Sequence, residues 1–123
     1  MNVIKLYGTG AATANAVASV VIPSKGRIRG VQFNVVLDSI TDSSRATIEI
    51  SRASASEIGV VGSQQCIAEC GIMSNFVTSG LSTSGANWFA PCDVPVIQGQ
   101  IIYLHAFVAG TATYIATAIL HYD

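Results

Sequence analysis

Apolar side chains recur at every second position over several stretches, each bounded by Gly, Pro, Ser or Asp clusters, which predicts strands separated by turns. In RIRGVQFNVVLD, Val31, Phe33, Val35 and Leu37 share one face while Gln32 and Asn34 take the other, the period of a half-buried strand. RATIEISR repeats the pattern, with Ala46, Ile48 and Ile50 alternating against Thr47, Glu49 and Ser51. The polar DSITDSS stretch between them predicts an antiparallel pair joined by a long loop. Upstream, AVASVVI runs from Ala16 to Ile22 and stops at Pro23, and PSKG reads as a turn. After Pro91, DVPVIQGQIIYLHAFVAGTATYIATAILHYD predicts a short strand, a turn at Gln98 and Gly99, and two long strands joined near Gly110 and Thr111 as a β-hairpin.

Those last two strands lack a polar face. Tyr103, His105 and Phe107 stand opposite Ile102, Leu104, Ala106 and Val108, and Ile115, Thr117, Ile119 and His121 stand opposite Tyr114, Ala116, Ala118, Leu120 and Tyr122. A strand lying between a core and a neighbouring subunit has this composition, whereas one facing water alternates with polar residues. Tyr103, His105 and Phe107 are therefore candidate interface residues, as are Trp88 and Phe89 in GANWFAP, which could plug a core, touch a partner or form a stacking platform for a ligand. The middle, residues 53–91, mixes Gly and Ser punctuation with short apolar runs. QQCIAECGIM fits a helical turn or a strand; strand is favoured, and either geometry puts Cys66 and Cys70 on one face. At the start, Val3, Ile4, Leu6 and Tyr7 precede a Gly, Ala, Thr and Asn stretch without a period, so residues 1–15 read as an N-terminal arm making partner contacts and 16–123 as one β-sandwich domain.

Composition sharpens this picture. Ile and Val far outnumber Leu, and Ser and Thr cluster between the apolar runs, which favours strands and turns over helices. A 123-residue chain supports one domain with about 6,300 Å² of folded surface, yet it carries only 13 Asp, Glu, Lys and Arg residues and a net charge of −1. Either uncharged polar groups cover that surface or other protein does. With no basic stripe, neither nucleic acid nor membrane is expected as a partner. The uncharged segment from Val94 to Tyr122 is broken by Pro95, Gly99 and Gly110 and reads as buried sheet. The opening lacks the basic flank and apolar run of a secretory signal, and three cysteines make no disulfide framework, so synthesis in a reducing cytoplasm is expected.

No catalytic set converges. VIKLYGTGAAT opens like a dinucleotide-binding turn, but Thr13 replaces the third glycine and crossover helices are missing. Cys66, Cys70 and Cys92 with His105 or His121 could hold a metal, but the spacing lacks a second Cys pair, and packing as small buried hydrophobes is the simpler reading. Asp38 and Asp42 suit turn capping better than calcium binding. No G-x-S-x-G elbow occurs. The chain is expected to be no enzyme and to need no cofactor.

Short strands, Gly, Pro and Ser turns and a paired C-terminal segment predict an all-β antiparallel sandwich, a single jelly roll. The segments VIKLYGTGAATANA, IPSKGRIRGVQFNV and VPVIQGQIIYLHAFVAGTATYIATAILHYD resemble small single-jelly-roll structural proteins of tailed bacteriophages. That resemblance implies a capsid decoration or cement protein, a homotrimer whose partners are itself and the major capsid protein or another virion protein, located on the capsid surface. The competing expectation is a glycan- or receptor-binding module of a phage tail or adhesin, using Trp88, Phe89 and the polar loops.

Overall fold

The computed structural model describes residues 2–11, 16–40, 44–55, 65–74, 82–110 and 112–123, with backbone alone at 39–40, 44, 73–74 and 82–86. Eight strands follow in order: β1 (Asn2–Gly10), β2 (Ala16–Val21), β3 (Gly26–Ile40), β4 (Ser44–Ser51), β5 (Cys66–Ser74), β6 (Ser82–Val96), β7 (Ile101–Ala109) and β8 (Thr113–Tyr122). They form two four-stranded antiparallel sheets, β1-β8-β3-β6 and β2-β7-β4-β5. The pairs β1·β8, β2·β7, β3·β6 and β4·β5 are successive rungs of one long antiparallel ribbon. The ribbon is wrapped so that β3 also meets β8 and β4 also meets β7. This strand order is a jelly roll, as the sequence pattern predicts.

The alternation explains the layers. Val31, Phe33, Val35 and Leu37 of β3 and Tyr114, Ala116, Ala118 and Leu120 of β8 project inward from one sheet. From the other sheet Ile48 and Ile50 of β4 and Ile102, Leu104, Ala106 and Val108 of β7 meet them, all with essentially no exposure. Small Ala residues on β8 face the larger aliphatics, which lets the sheets interdigitate. QQCIAECGIM, ambiguous in sequence, contributes β5, with Ala68, Cys70 and Ile72 in the core.

Three expectations are corrected. The β7 and β8 segments make no hairpin: β7 lies between β2 and β4, and β8 between β1 and β3 in the opposite sheet. Each carries an apolar face that must be buried, and placing them in facing layers buries both faces against each other; Gly110, at φ 110°, takes the chain across between the sheets. For the same reason β3 and β4 do not pair with each other but sit in different sheets. Finally, residues 2–10 of the expected arm form β1, in continuous register with β8 from Asn2↔Tyr122 to Gly10↔Tyr114. Leu6 is buried, Ile4 packs against the core, and the Thr9 hydroxyl donates to Tyr114 O at 2.9 Å. The ladder groups of β8 supply what the weak apolar pattern of this segment did not announce. Residues 12–15 lie outside the described residues.

Candidate interaction surface

Because side chains alternate along each strand, the inward register of the β1-β8-β3-β6 sheet fixes what its outer face carries. Row by row, Val3 lies beside His121 and Gly30; Lys5 beside Ile119, Gln32 and Phe89; Tyr7 beside Thr117, Asn34 and Asn87; and Thr9 beside Ile115 and Val36. Apart from His121, Lys5 is the only acidic or basic residue of these rows. Five large apolar side chains are substantially open to water: Val3 62%, Tyr7 54%, Phe89 50%, Ile115 41% and Val36 39%. The Phe89 ring meets the His121 ring edge-on at 5.8 Å.

Besides Lys5, charge stands at the two ends of this face, with Asp38 beside Thr113 at one end and an ion-pair cluster at the other. Arg27 Nε donates to Asp93 Oδ1 at 2.6 Å, Arg29 Nη1 to the same oxygen at 3.0 Å, and Arg29 Nε to Asp123 Oδ2 at 3.2 Å. The Arg27 hydrogen bond holds the Asp93 carboxyl below the usual carboxylate range, and Asp93 in turn raises Arg27. An apolar centre with a polar rim is the anatomy of a protein contact surface.

The residues singled out from sequence do not form one patch. Tyr103, His105 and Phe107 share a face as expected, but it is the outer face of the other sheet. His105 is completely buried within its own chain, with Nε2 2.7 Å from Ala53 O, so it presents no surface to a partner. Trp88 and Phe89, adjacent on β6, point to opposite sides: Phe89 pairs with Gln32 on the outer face and Trp88 with core-facing Phe33. They make no common platform. Of the arm residues, Val3 and Tyr7 join the outer face, and Ile4 and Leu6 turn inward. Val36 was missed; it breaks the polar alternation of Gln32 and Asn34, which was the available signal.

At the rim of the sandwich Trp88, 55% exposed, and Asn87 face Glu69, Cys70 and Gly71 of β5 across an open groove of about 390 Å³. The cysteines do not converge. Cys70 lies in the core, where burial pushes its thiol up, and Cys92 on β6 sits 3.7 Å from Ile28 O with its thiol likewise raised by burial. Cys66 stands on the opposite face from Cys70, because an irregularity between the Ile50↔Ala68 and Ser51↔Cys66 pairs shifts the alternation. Asp42 lies outside the described residues.

No family model and no curated protein matches this sequence. Among solved structures the chain is similar to a protein of infectious bursal disease virus, Gx strain (10% identity, TM-score 0.47), covering 97% of this chain and 32% of that one. It thus spans about a third of that protein's length. It is also similar to Eiger TNF from S. frugiperda (11% identity, TM-score 0.44, covering 96% and 83%). A third likeness is to the C-terminal CBM6 of the laminarinase LamC from Zobellia galactanivorans (14% identity, TM-score 0.39, covering 98% and 100%). The jelly-roll assignment itself rests on the strand order and register given above. No helix among the described residues is long and apolar enough to cross a membrane.

Proposed function

We propose that this chain is a non-enzymatic structural protein of a virion, a jelly-roll subunit that self-associates as a homotrimer and decorates or cements a capsid surface, as the resemblance to tailed-phage proteins implies. The observation that carries the reading is the charge-poor outer face of the β1-β8-β3-β6 sheet, on which Val3, Tyr7, Val36, Phe89 and Ile115 stand open. At ordinary strand spacing that face measures about 450 Å². One partner of a standard interface buries about 800 Å², so the face forms the centre of the contact and the Arg27, Arg29, Asp93 and Asp123 rim contributes the remainder. Jelly rolls recur in viral shells, but the fold alone does not assign the role. Light scattering over a concentration series tests it: a trimer is expected that Ile115→Asp converts to monomer, and a wild-type monomer at every concentration overturns self-association. Co-sedimentation of the trimer with capsid shells then tests attachment.

The groove at Trp88 favours a second reading, a glycan-binding module. An exposed indole beside an amide and a carboxylate offers a stacking face and directional hydrogen bonds to a sugar. Trp88 is the sole tryptophan, so its fluorescence reports occupancy directly. Saturable quenching by an oligosaccharide, lost in Asn87→Ala, supports this reading.

A further inference from the structure

A straight row crosses the outer face of the β2-β7-β4-β5 sheet: His105 on β7 pairs with Glu49 on β4, and Glu49 pairs with Glu69 on β5. Carboxylates directly opposite each other in a ladder repel, and Glu49 is only 1% exposed, which makes the repulsion costlier. The irregularity in β5 brings Cys66 onto the same face, and a carboxylate oxygen of Glu49, the Cys66 sulfur and a carboxylate oxygen of Glu69 all lie within 4.8 Å of one another. Next in the row His105 is fully buried, with Nε2 2.7 Å from Ala53 O and Nδ1 without a hydrogen-bond partner among the described residues. Its ring nitrogens lie outside that 4.8 Å group, so His105 borders the cluster without belonging to it. Tyr103 stacks on the imidazole at 6.1 Å and 15°, which restrains the ring plane.

We propose that Glu49, Cys66 and Glu69 bind a divalent transition metal of the zinc class. Zn²⁺ accepts sulfur, nitrogen and carboxylate donors at about 2.0–2.3 Å, and small side-chain rotations bring donors spaced as these are onto one ion. The thiolate selects against calcium and magnesium, which take oxygen ligands. Three protein ligands leave the fourth position of a tetrahedral ion to water or a further donor, and the ion ties edge strand β5 to β4. This inference is independent of the capsid reading.

Cobalt(II) titration of the chelator-treated, reduced full chain tests it, because cobalt reports a thiolate ligand through a near-ultraviolet charge-transfer band. One cobalt per chain with that band is expected, displaced by zinc. Cys66→Ser should abolish the band. Glu69→Gln, at an exposed position that leaves the fold intact by circular dichroism, should weaken binding at least about tenfold, the scale on which losses around a metal site fall. Cys92→Ala should leave both unchanged. Absence of the band from the wild type, its survival in Cys66→Ser, or unchanged affinity in Glu69→Gln overturns the proposal.

Discussion

The Phe89 ring lies over Gly30: a Cβ built on Gly30 would stand 2.2 Å from Phe89 Cζ. The outer-face aromatic therefore rests on backbone, and that seat places its ring edge-on to His121. Gly30→Ala forces the ring outward, and since Phe89 is half exposed the cost is side-chain contact and not overpacking. A loss of about 1 kcal/mol is expected. Thermal unfolding measures the loss, and a shift of the His121 ring protons in NMR reports the displaced ring; unchanged His121 resonances would contradict the seat.

Gly26 presents the opposite case. Its added Cβ would meet the Asp123 carbonyl oxygen at 1.9 Å, and that oxygen accepts the Arg27 N–H at 3.0 Å while Asp123 N–H donates to Arg27 O at 3.0 Å. Backbone cannot swing aside, so Gly26→Ala breaks this terminal pair and is expected to cost about 1–3 kcal/mol. Chemical denaturation with and without deletion of Asp123 checks the cause: the deletion should reduce the penalty of Gly26→Ala.

The fold was largely legible because it is written in alternation. Val31 to Leu37 and Ala46 to Ile50 turn their apolar sides inward, as their alternation predicts, while the two C-terminal strands, apolar on both faces, left the inward side open. What period two cannot encode is which layer the next strand joins. Gly110 and Thr111 read equally well as a hairpin turn or as a crossing between sheets, and the choice depends on burying Leu104 and Leu120 from opposite sides. The surface was half legible. Ile115 and His121 were assigned to one face, but Val3 and Tyr7 reached it only through the β1·β8 register, a long-range pairing with no local signature. Cys66 and Cys70 were placed together because a bulge, which resets the alternation, leaves no mark in composition.

Acid should act on the Asp93 cluster. The folded-state pKa of Asp93 lies below its ordinary value of 3.8, chiefly through the Arg27 hydrogen bond. The folded state therefore binds its proton less readily than the unfolded chain. Stability from this group is full above the ordinary value and is lost as pH falls through the depressed one. The cluster is solvent-exposed, so screening keeps the effect small and raised salt should shrink it further. Unfolding midpoints from pH 6 down to pH 2 are expected to fall less steeply in Asp93→Asn than in the wild type; parallel slopes would remove the ion pair from the account.

Tyr114 is fully buried at the start of β8, and its hydroxyl has no hydrogen-bond partner among the described residues. A buried hydroxyl left unpaired carries a desolvation penalty of about 1–3 kcal/mol, and a phenyl ring of the same shape does not. Tyr114→Phe is thus expected to raise stability by about 1 kcal/mol at neutral pH, within that penalty. Burial also raises the Tyr114 phenol above its ordinary 10.0. The folded state then holds the proton more tightly than the unfolded chain, so this contribution is full below about pH 10 and is lost as pH rises through the folded value. Tyr114→Phe should therefore also flatten the alkaline limb of the stability profile. Urea denaturation at pH 7 and pH 11 tests both parts. A gain that widens from the lower to the higher pH fits an unpaired buried phenol, whereas a loss at pH 7 would mean that the hydroxyl is satisfied.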